Sequence, residues 1–339
     1  MTPSGARALR VAVVGVGHLG RIHARIYSEH PGAELVAVVD RDLERARVLA
    51  AELGCRAVAD IEDLPSDLDA VSVVVSTPAH EQVAVPLLRR GIPCLIEKPL
   101  AHDLASADRI LAVAKEVGVH VGVGHVERFQ PGLRQVKAMG LEPRFIECHR
   151  LTAFSFRSTD VGVVHDLMIH DLDLVLDMVG AEVVEFDAVG GRILTDHEDV
   201  ASVRLVFAGG QRANVTANRV SLSPMRRFRM FASSSYVSLD FTKNYGLVVK
   251  KGPGFEQAIG ELRDLDPAAL AQRGDLLERG VLEVVELELG NEQRPLQAEL
   301  DAFLGSVRAG TRPPVDGRDG RRALELADRI VERIRSQAW

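Results

Sequence analysis

The sequence predicts a two-domain α/β protein: a doubly wound parallel sheet, followed by an α+β domain with an open, mostly antiparallel sheet. Three observations predict it. From Arg10 to about Val123, short β-branched runs alternate with stretches of helical period, the pattern of βαβ units. After about Pro143 the chain turns to longer segments of two-residue alternation, the mark of strands with one covered face. At 339 residues, 46% hydrophobic and 26% charged, it has the length of two domains and ordinary globular proportions.

In the first half the expected strands are Val11–Val14, Leu35–Asp40, Ala70–Ser76, Cys94–Glu97 and Val119–Val123. Between them Leu19–His30, Leu43–Leu53, Glu81–Arg90 and Leu104–Val117 repeat apolar residues every three or four positions, as amphipathic helices do. In the second half strands are expected at Arg144–Leu151, Val183–Val189, Ala201–Phe207, Arg212–Val220, Phe228–Ala232 and Tyr236–Phe241, interrupted by one helical stretch, Val164–Val179. The acidic, weakly periodic segment Gly252–Val281 reads as a surface excursion before a last strand, Leu282–Leu289. Helices near Gln297–Val307 and Gly320–Ile334 close the chain.

A formal charge of −7, from 41 Lys and Arg against 48 Asp and Glu, leaves no positive field to hold a phosphate polymer, so nucleic acid is not an expected partner. Only six of those cations are lysines: Lys98, Lys115, Lys137, Lys243, Lys250 and Lys251. Cys55, Cys94 and Cys148 are odd in number, far apart and lack CxxC spacing, which predicts a reducing cytoplasm. No apolar run approaches the ~20 residues that cross a bilayer. The apolar start at Leu9 is broken by Arg10, Gly15, Gly17 and His18, so a soluble, unprocessed protein is expected.

Gly15-Val-Gly17-His18-Leu19-Gly20 places GxGxxG directly after a strand and at the opening of a helix. Gly15 permits the tight turn, Gly17 lets a pyrophosphate approach the backbone, and Gly20 lets helix and strand pack closely. Free amides around His18 and Leu19, together with the helix dipole, then face the anion. The next strand ends in Asp40, twenty residues after Gly20, where a carboxylate accepts both ribose hydroxyls and repels a 2′-phosphate. NAD is therefore expected over NADP, although Arg41 and Arg47 stand close enough in sequence to accommodate that phosphate. The plainer reading makes the glycines a turn and Asp40 a helix cap. On these grounds residues 1–124 are expected to form a Rossmann dinucleotide-binding domain. Residues 125–339 then form a second domain, which carries the remaining candidate substrate-binding residues and whose C-terminal helix is able to pack back on the first.

Glu97-Lys98-Pro99 stands at the carboxyl end of a late strand, the edge where ligands of open α/β sheets collect. Pro99 ends the strand and helps aim Lys98 out of the sheet. In the second half, Asp166, His170, Asp173 and Asp177 fall at i, i+4, i+7 and i+11 of a helix whose other faces are apolar. An Asp one turn before a His can fix the imidazole's tautomer and stabilise its protonated form, as a general base requires. Two other readings stand beside this one: helix-terminal anions with a satisfied core histidine, and a metal site using His165, Asp166 and His170. Ser76-Thr77-Pro78-Ala79-His80 and Gly124-His125-Val-Glu127-Arg128-Phe129 punctuate the same sheet edge as turns or ligand contacts. Arg150, Arg219 and Met225–Arg229 either meet a phosphate-bearing substrate or form a solvated strand face.

These motifs resemble the Gfo/Idh/MocA family of sugar and polyol oxidoreductases over nearly the whole chain. The resemblance implies a Rossmann domain, an α/β domain whose open sheet mediates homo-oligomerisation, and hydride transfer between a hydroxyl-bearing ring carbon and a nicotinamide. It carries over Lys98, Asp166 and His170 as the catalytic set. Gly15, Gly17, Gly20, Asp40, Thr77, His80 and Glu97 carry over as cofactor contacts, with His18, Leu19, Arg41, Pro78 and Lys98 beside them. Substrate contacts are expected from Lys98, His125, Arg128, Arg157, Asp166 and His170, with no metal, and a cis Lys98–Pro99 peptide follows the family pattern. Val163, Val164 and Met168 stand where the family commonly has glycines, a departure that bears on backbone room at that turn.

Gly124–Phe129 and Arg157–His170 are similar in wording to the UDP-N-acetylglucosamine 3-dehydrogenase branch of that family, which in Gram-negative bacteria prepares a 3-keto sugar for transamination toward diamino lipid A. Three rivals are an inositol- or glucose-type dehydrogenase without a nucleotide, an NAD-binding sensor or scaffold without turnover, and a glycosidase using transient oxidation. Within the dehydrogenase reading, either His170 or Lys98 takes the proton.

Overall fold

The computed structural model describes residues 7–155, 161–263, 280–287, 289 and 294–337. The chain divides into two compact units, residues 1–130 with 293–329 and residues 131–292 with 330–339.

The first unit is built on six parallel strands: β1 (Leu9–Val14), β2 (Ala33–Val39), β3 (Arg56–Val58), β4 (Ala70–Val73), β5 (Cys94–Glu97) and β6 (Val121–Gly124). Their order is β3-β2-β1-β4-β5-β6, with the reversal between β1 and β4 that opens a ligand crevice at the strands' carboxyl ends. The helices are α1 (His18–Glu29), α2 (Leu43–Leu53), α3 (His80–Arg89) and α4 (Leu104–Val117).

Alternate residues of β1 feed two cores. Ala12 and Val14 pack with Leu87, Leu88 and Ile110 on one face of the sheet. Val11 and Val13 pack with Tyr27, Leu49, Leu300, Phe303 and Leu304 on the other. Both faces are covered, which is why these strands read as unbroken apolar runs. The helix Pro295–Ala309 supplies Leu300, Phe303 and Leu304, so this unit takes back chain that the linear reading assigned to the second domain. Strand β3 was not among the expected runs; three residues at a sheet edge carry too little pattern to register.

The second unit opens with a short helix, α5 (Pro131–Ala138). Its eight strands run in the order β14-β13-β12-β11-β7-β10-β9-β8. They are β7 (Pro143–Leu151), β8 (Val183–Gly191), β9 (Val200–Phe207), β10 (Arg212–Asn218), β11 (Met225–Ala232), β12 (Ser235–Asp240), β13 (Tyr245–Lys251) and β14 (Leu282–Glu286). Every neighbouring pair is antiparallel except β7 and β10. Ile146, Cys148, Val203, Val215, Phe228 and Val237 are buried in this unit. Arg150 of β7 is buried too, because its guanidinium grips Asp171 of the helix α6 (Ile169–Val179) through two hydrogen bonds of 2.8 Å. A bidentate pair of this kind fixes the helix on the sheet, since either charge alone would be costly there.

Besides β3, helix α5 and two later elements depart from expectation. Tyr245–Lys251 is a strand, and Phe255–Arg263 is a helix where a surface excursion was expected. Among the described residues, no helix is long and apolar enough to cross a membrane.

Candidate active site

Strand β1 delivers the glycine loop. Gly15 has φ +89°, a left-handed conformation that L side chains rarely adopt. A Cβ on Gly20 would lie 1.8 Å from the carbonyl oxygen of Gly15, so that position has no room for a side chain. A Cβ on Gly17 would meet no protein atom within 4 Å. Helices α2 and α4 are capped by Asp42 and Asp103, which accept from the amides of Arg45 and Ser106. Helix α1 has neither a side-chain cap nor an acid in its first turn, so the amides around exposed His18 and Leu19 are left for an anion.

Asp40 follows β2. Its carboxylate accepts from the amides of Val16 and Asp42, both at 2.9 Å, and so is held against the glycine loop. A cleft of about 550 Å³ is lined by Gly15, Gly17, Asp40, Arg41, Arg45 and Ser76 among others. Arg45 lies 3.6 Å from Asp40, while Arg47 pairs with Glu44 on the same helix. The guanidinium nearest the carboxylate is therefore one the sequence reading did not name. An open backbone loop, an uncapped helix terminus and a fixed carboxylate beside a cleft of this size fit a dinucleotide.

Thr77 and Pro78 form a short 3₁₀ turn, Thr77–Ala79, that leads into α3. His80 behind them is 1% exposed, with its ring nitrogens 3.0 Å from the Pro99 carbonyl and 3.2 Å from that of Val75. A neutral imidazole donates its one N–H to one of these carbonyls and packs against the other, so the ring spans the turn after β4 and the turn after β5. That gives His80 a loop-holding role rather than the direct cofactor contact implied by the resemblance. Burial lowers its pKa below the ordinary imidazole value, with the hydrogen bonds at Val75 and Pro99 opposing in part. As pH falls the unfolded chain therefore takes up this proton before the folded one does, and stability present above the unfolded pKa is lost on acidification. The melting temperature is expected to fall between about pH 7.5 and 5.5, and that of His80→Asn to fall less steeply. Equal slopes would contradict this.

Lys98 stands half-buried just beyond β5, and the Lys98–Pro99 peptide is cis. Glu97, 9% exposed, turns inward: its carboxylate lies 3.2 Å from the His23 ring and accepts from the Lys98 amide at 3.3 Å. His125 is fully buried, and Arg128 lies 3.5 Å from Asp319 with its side chain 9% exposed. Arg157, the remaining expected substrate contact, lies outside the described residues.

In the second unit the expected helix forms, but its first turn, Val164–Met168, is a π turn closed by the Ile169 amide on the Val164 carbonyl. Such insertions widen a helix locally and are frequent at functional sites. Val163, Val164, Met168 and Ile169 are buried, whereas His165, Asp166 and His170 are only partly so. Asp173 is wholly buried, and Asp177 accepts from the Lys137 ammonium at 2.7 and 2.9 Å. The polar stripe therefore divides: its first half is accessible, and its last member serves an ion pair.

Backbone room comes from Gly162. A Cβ there would lie 1.8 Å from Glu198 Oε1. Glu198 accepts from Val163 on its backbone carbonyl at 2.9 Å and from Val164 on its carboxylate at 3.4 Å, so it holds the start of the helix. Beside it, Asp199 accepts from the amides of Ile193, Leu194 and Thr195 and from Arg219. Burial alone would push this carboxyl up, but these bonds hold it well below the usual carboxylate range. Glu198 and Asp199 were missed in sequence because two acids before a strand resemble a turn. Arg219 and Arg150, weighed as phosphate contacts, are instead committed to Asp199 and Asp171.

Residues 9–125 match the oxidoreductase family with an NAD-binding Rossmann fold, and residues 133–236 match the GFO/IDH/MocA C-terminal domain. UDP-N-acetylglucosamine 3-dehydrogenase from Acidithiobacillus ferrooxidans is 38% identical over 320 residues, spanning 94% of this chain and 95% of that one. Myo-inositol 2-dehydrogenase from Thermotoga maritima is 26% identical over 351 residues, spanning 97% and 98%. A solved structure of the A. ferrooxidans enzyme superposes with a TM-score of 0.86 at 35% identity, covering 98% of this chain and 99% of that one.

Proposed function

The chain belongs to the Gfo/Idh/MocA family of oxidoreductases, and from that premise we propose that it oxidises the C3 hydroxyl of UDP-N-acetylglucosamine with NAD, giving a 3-keto sugar nucleotide. The observation that carries this reading is the end-to-end similarity to the A. ferrooxidans 3-dehydrogenase. The accessible Asp166 and His170 support it, as does an ammonium at the tip of β5.

Gly15, Gly17, Gly20 and the amides at the start of α1 hold the pyrophosphate, and Asp40 receives the ribose hydroxyls. Asp40 is fixed by two backbone amides and cannot turn away from a 2′-phosphate, which favours NAD over NADP. The bound dinucleotide supplies the acceptor for the hydride that leaves C3. His170, oriented by Asp166, takes the hydroxyl proton as the C–H bond breaks and the C=O bond forms. The Lys98 ammonium stabilises the negative charge that builds on that oxygen.

The product suits transamination toward diamino lipid A. The protein works in the cytoplasm as a homo-oligomer joined through the open sheet, where the Phe145, Phe231 and Tyr236 rings cluster, with centroids 5.6 and 4.9 Å apart. Purified protein given NAD should form NADH with UDP-N-acetylglucosamine and not with free N-acetylglucosamine, glucose or myo-inositol. Equal rates with myo-inositol would overturn the substrate assignment in favour of a polyol dehydrogenase.

A further inference from the structure

Helix α1 buries Gly20, His23, Ala24 and Tyr27. Ala24 and Tyr27 suit the apolar layer beneath it, and the Tyr27 hydroxyl is matched by Ser72 at 2.8 Å. His23 has no such apolar rationale, yet it is 0% exposed. It lies against a carboxylate at the sheet's ligand-binding edge, its Nε2 3.2 Å from Glu97 Oε1. The other oxygen of Glu97 accepts from the Lys98 amide.

The strand beside it leaves space for this arrangement. Gly124 of β6 pairs with Glu97, and a Cβ on Gly124 would lie 2.8 Å from the carboxylate carbon and both oxygens. A carboxylate placed at a strand end, enclosed and without a neighbouring positive or donor group, would be expensive. The His23 ring stands 3.2 Å from one oxygen and the Lys98 amide donates to the other, while His80 flanks the same turn at 3.0 Å from the Pro99 carbonyl. Both backbone groups bracketing Lys98 and Pro99 are thereby tied to buried side chains.

We propose that His23 is a positioning residue: it holds the Glu97 carboxylate in the slot left by Gly124, and Glu97 in turn fixes the backbone from which the Lys98 ammonium emerges. Glu97 then acts through Lys98 rather than by touching the cofactor. The proposal rests on the reading of Lys98 as a catalytic group, but it can be tested without substrate.

The chain has only six lysines, so reductive ¹³C-methylation gives six lysine signals and the α-amine, and Lys98→Ala assigns the one that matters. In His23→Leu that signal should move while the other five stay, and His23→Gln, which keeps a donor, should return it most of the way. Gly124→Ala crowds the carboxylate from the opposite side and should move the same signal without touching α1. With substrate, His23→Leu should lower kcat about 10- to 100-fold and leave KM values within about threefold, as expected for a misplaced group rather than lost binding.

A Lys98 signal that stays in place in both folded variants, with only the melting temperature lowered, would overturn the proposal by making His23 purely structural. If the signal moves but no sugar supports turnover in the parent protein, the positioning role stands and the proposed function falls.

Discussion

His170→Ala is expected to lower kcat by about 10²- to 10⁴-fold, the range that a positioned general base contributes. Lys98→Ala is expected to cost about 10²- to 10³-fold, as the loss of one group stabilising a developing oxyanion does. The two effects should not add. If both side chains act on one hydroxyl, the double variant loses little more than the worse single variant, because removing either already dismantles the unit. Dinucleotide binding, measured by quenching of intrinsic fluorescence or by titration calorimetry, should survive in His170→Ala. Near-parental turnover in either single variant would remove that residue from the chemistry. Strictly multiplicative losses would mean that the two act independently.

The second large effect is expected at the glycine loop. Gly20→Ala places a Cβ 1.8 Å from the Gly15 carbonyl oxygen, so helix and strand must part or the loop must deform. Overpacking of this kind costs about 1–3 kcal/mol. If that cost falls on the loop's binding geometry, NAD affinity drops about 5- to 150-fold. Gly17→Ala provides the contrast, since a Cβ there meets no protein atom within 4 Å. It should leave the melting temperature of the free protein unchanged and still weaken the dinucleotide. Unchanged affinity in both variants would show that the pyrophosphate is held elsewhere.

Much of the first unit was legible because a parallel sheet covered on both faces leaves a strong trace: the expected strands and helices lie within a few residues of where periodicity put them. The strand expected from Val119 begins two residues later, at Val121. The doubly wound core is local in sequence, so local pattern suffices. The helices near the carboxyl end could be seen, but not their destination. Phe303 and Leu304 join a core made mostly by residues between Leu9 and Ala70, such as Val11, Tyr27 and Leu49, and no periodicity encodes a partner so distant in the chain.

The residues proposed for the site stand out in sequence where type and spacing together suggest a chemistry. GxGxxG, Asp40, Lys98 and the Asp166–His170 spacing all stand out as residues whose type has a job at that spacing. The supports beneath them did not stand out. His23 looks like an ordinary helix residue until Glu97 is seen against it, and Glu198 looks like a turn until Gly162 is seen beneath its carboxylate. Arg150 and Arg219 misled for the same reason: a buried arginine and a ligand-binding arginine are identical in sequence, and only their partners, Asp171 and Asp199, tell them apart.

The most direct test of the central claim follows the C3 hydrogen. UDP-N-acetylglucosamine carrying deuterium at C3 is incubated with the protein and NAD, and the reduced dinucleotide is examined by mass spectrometry. Deuterium recovered in the nicotinamide ring, with a 3-keto sugar nucleotide formed in equal amount, is the predicted result. Deuterium released to water, or retained in the sugar while a different polyol reduces the dinucleotide, would contradict the account.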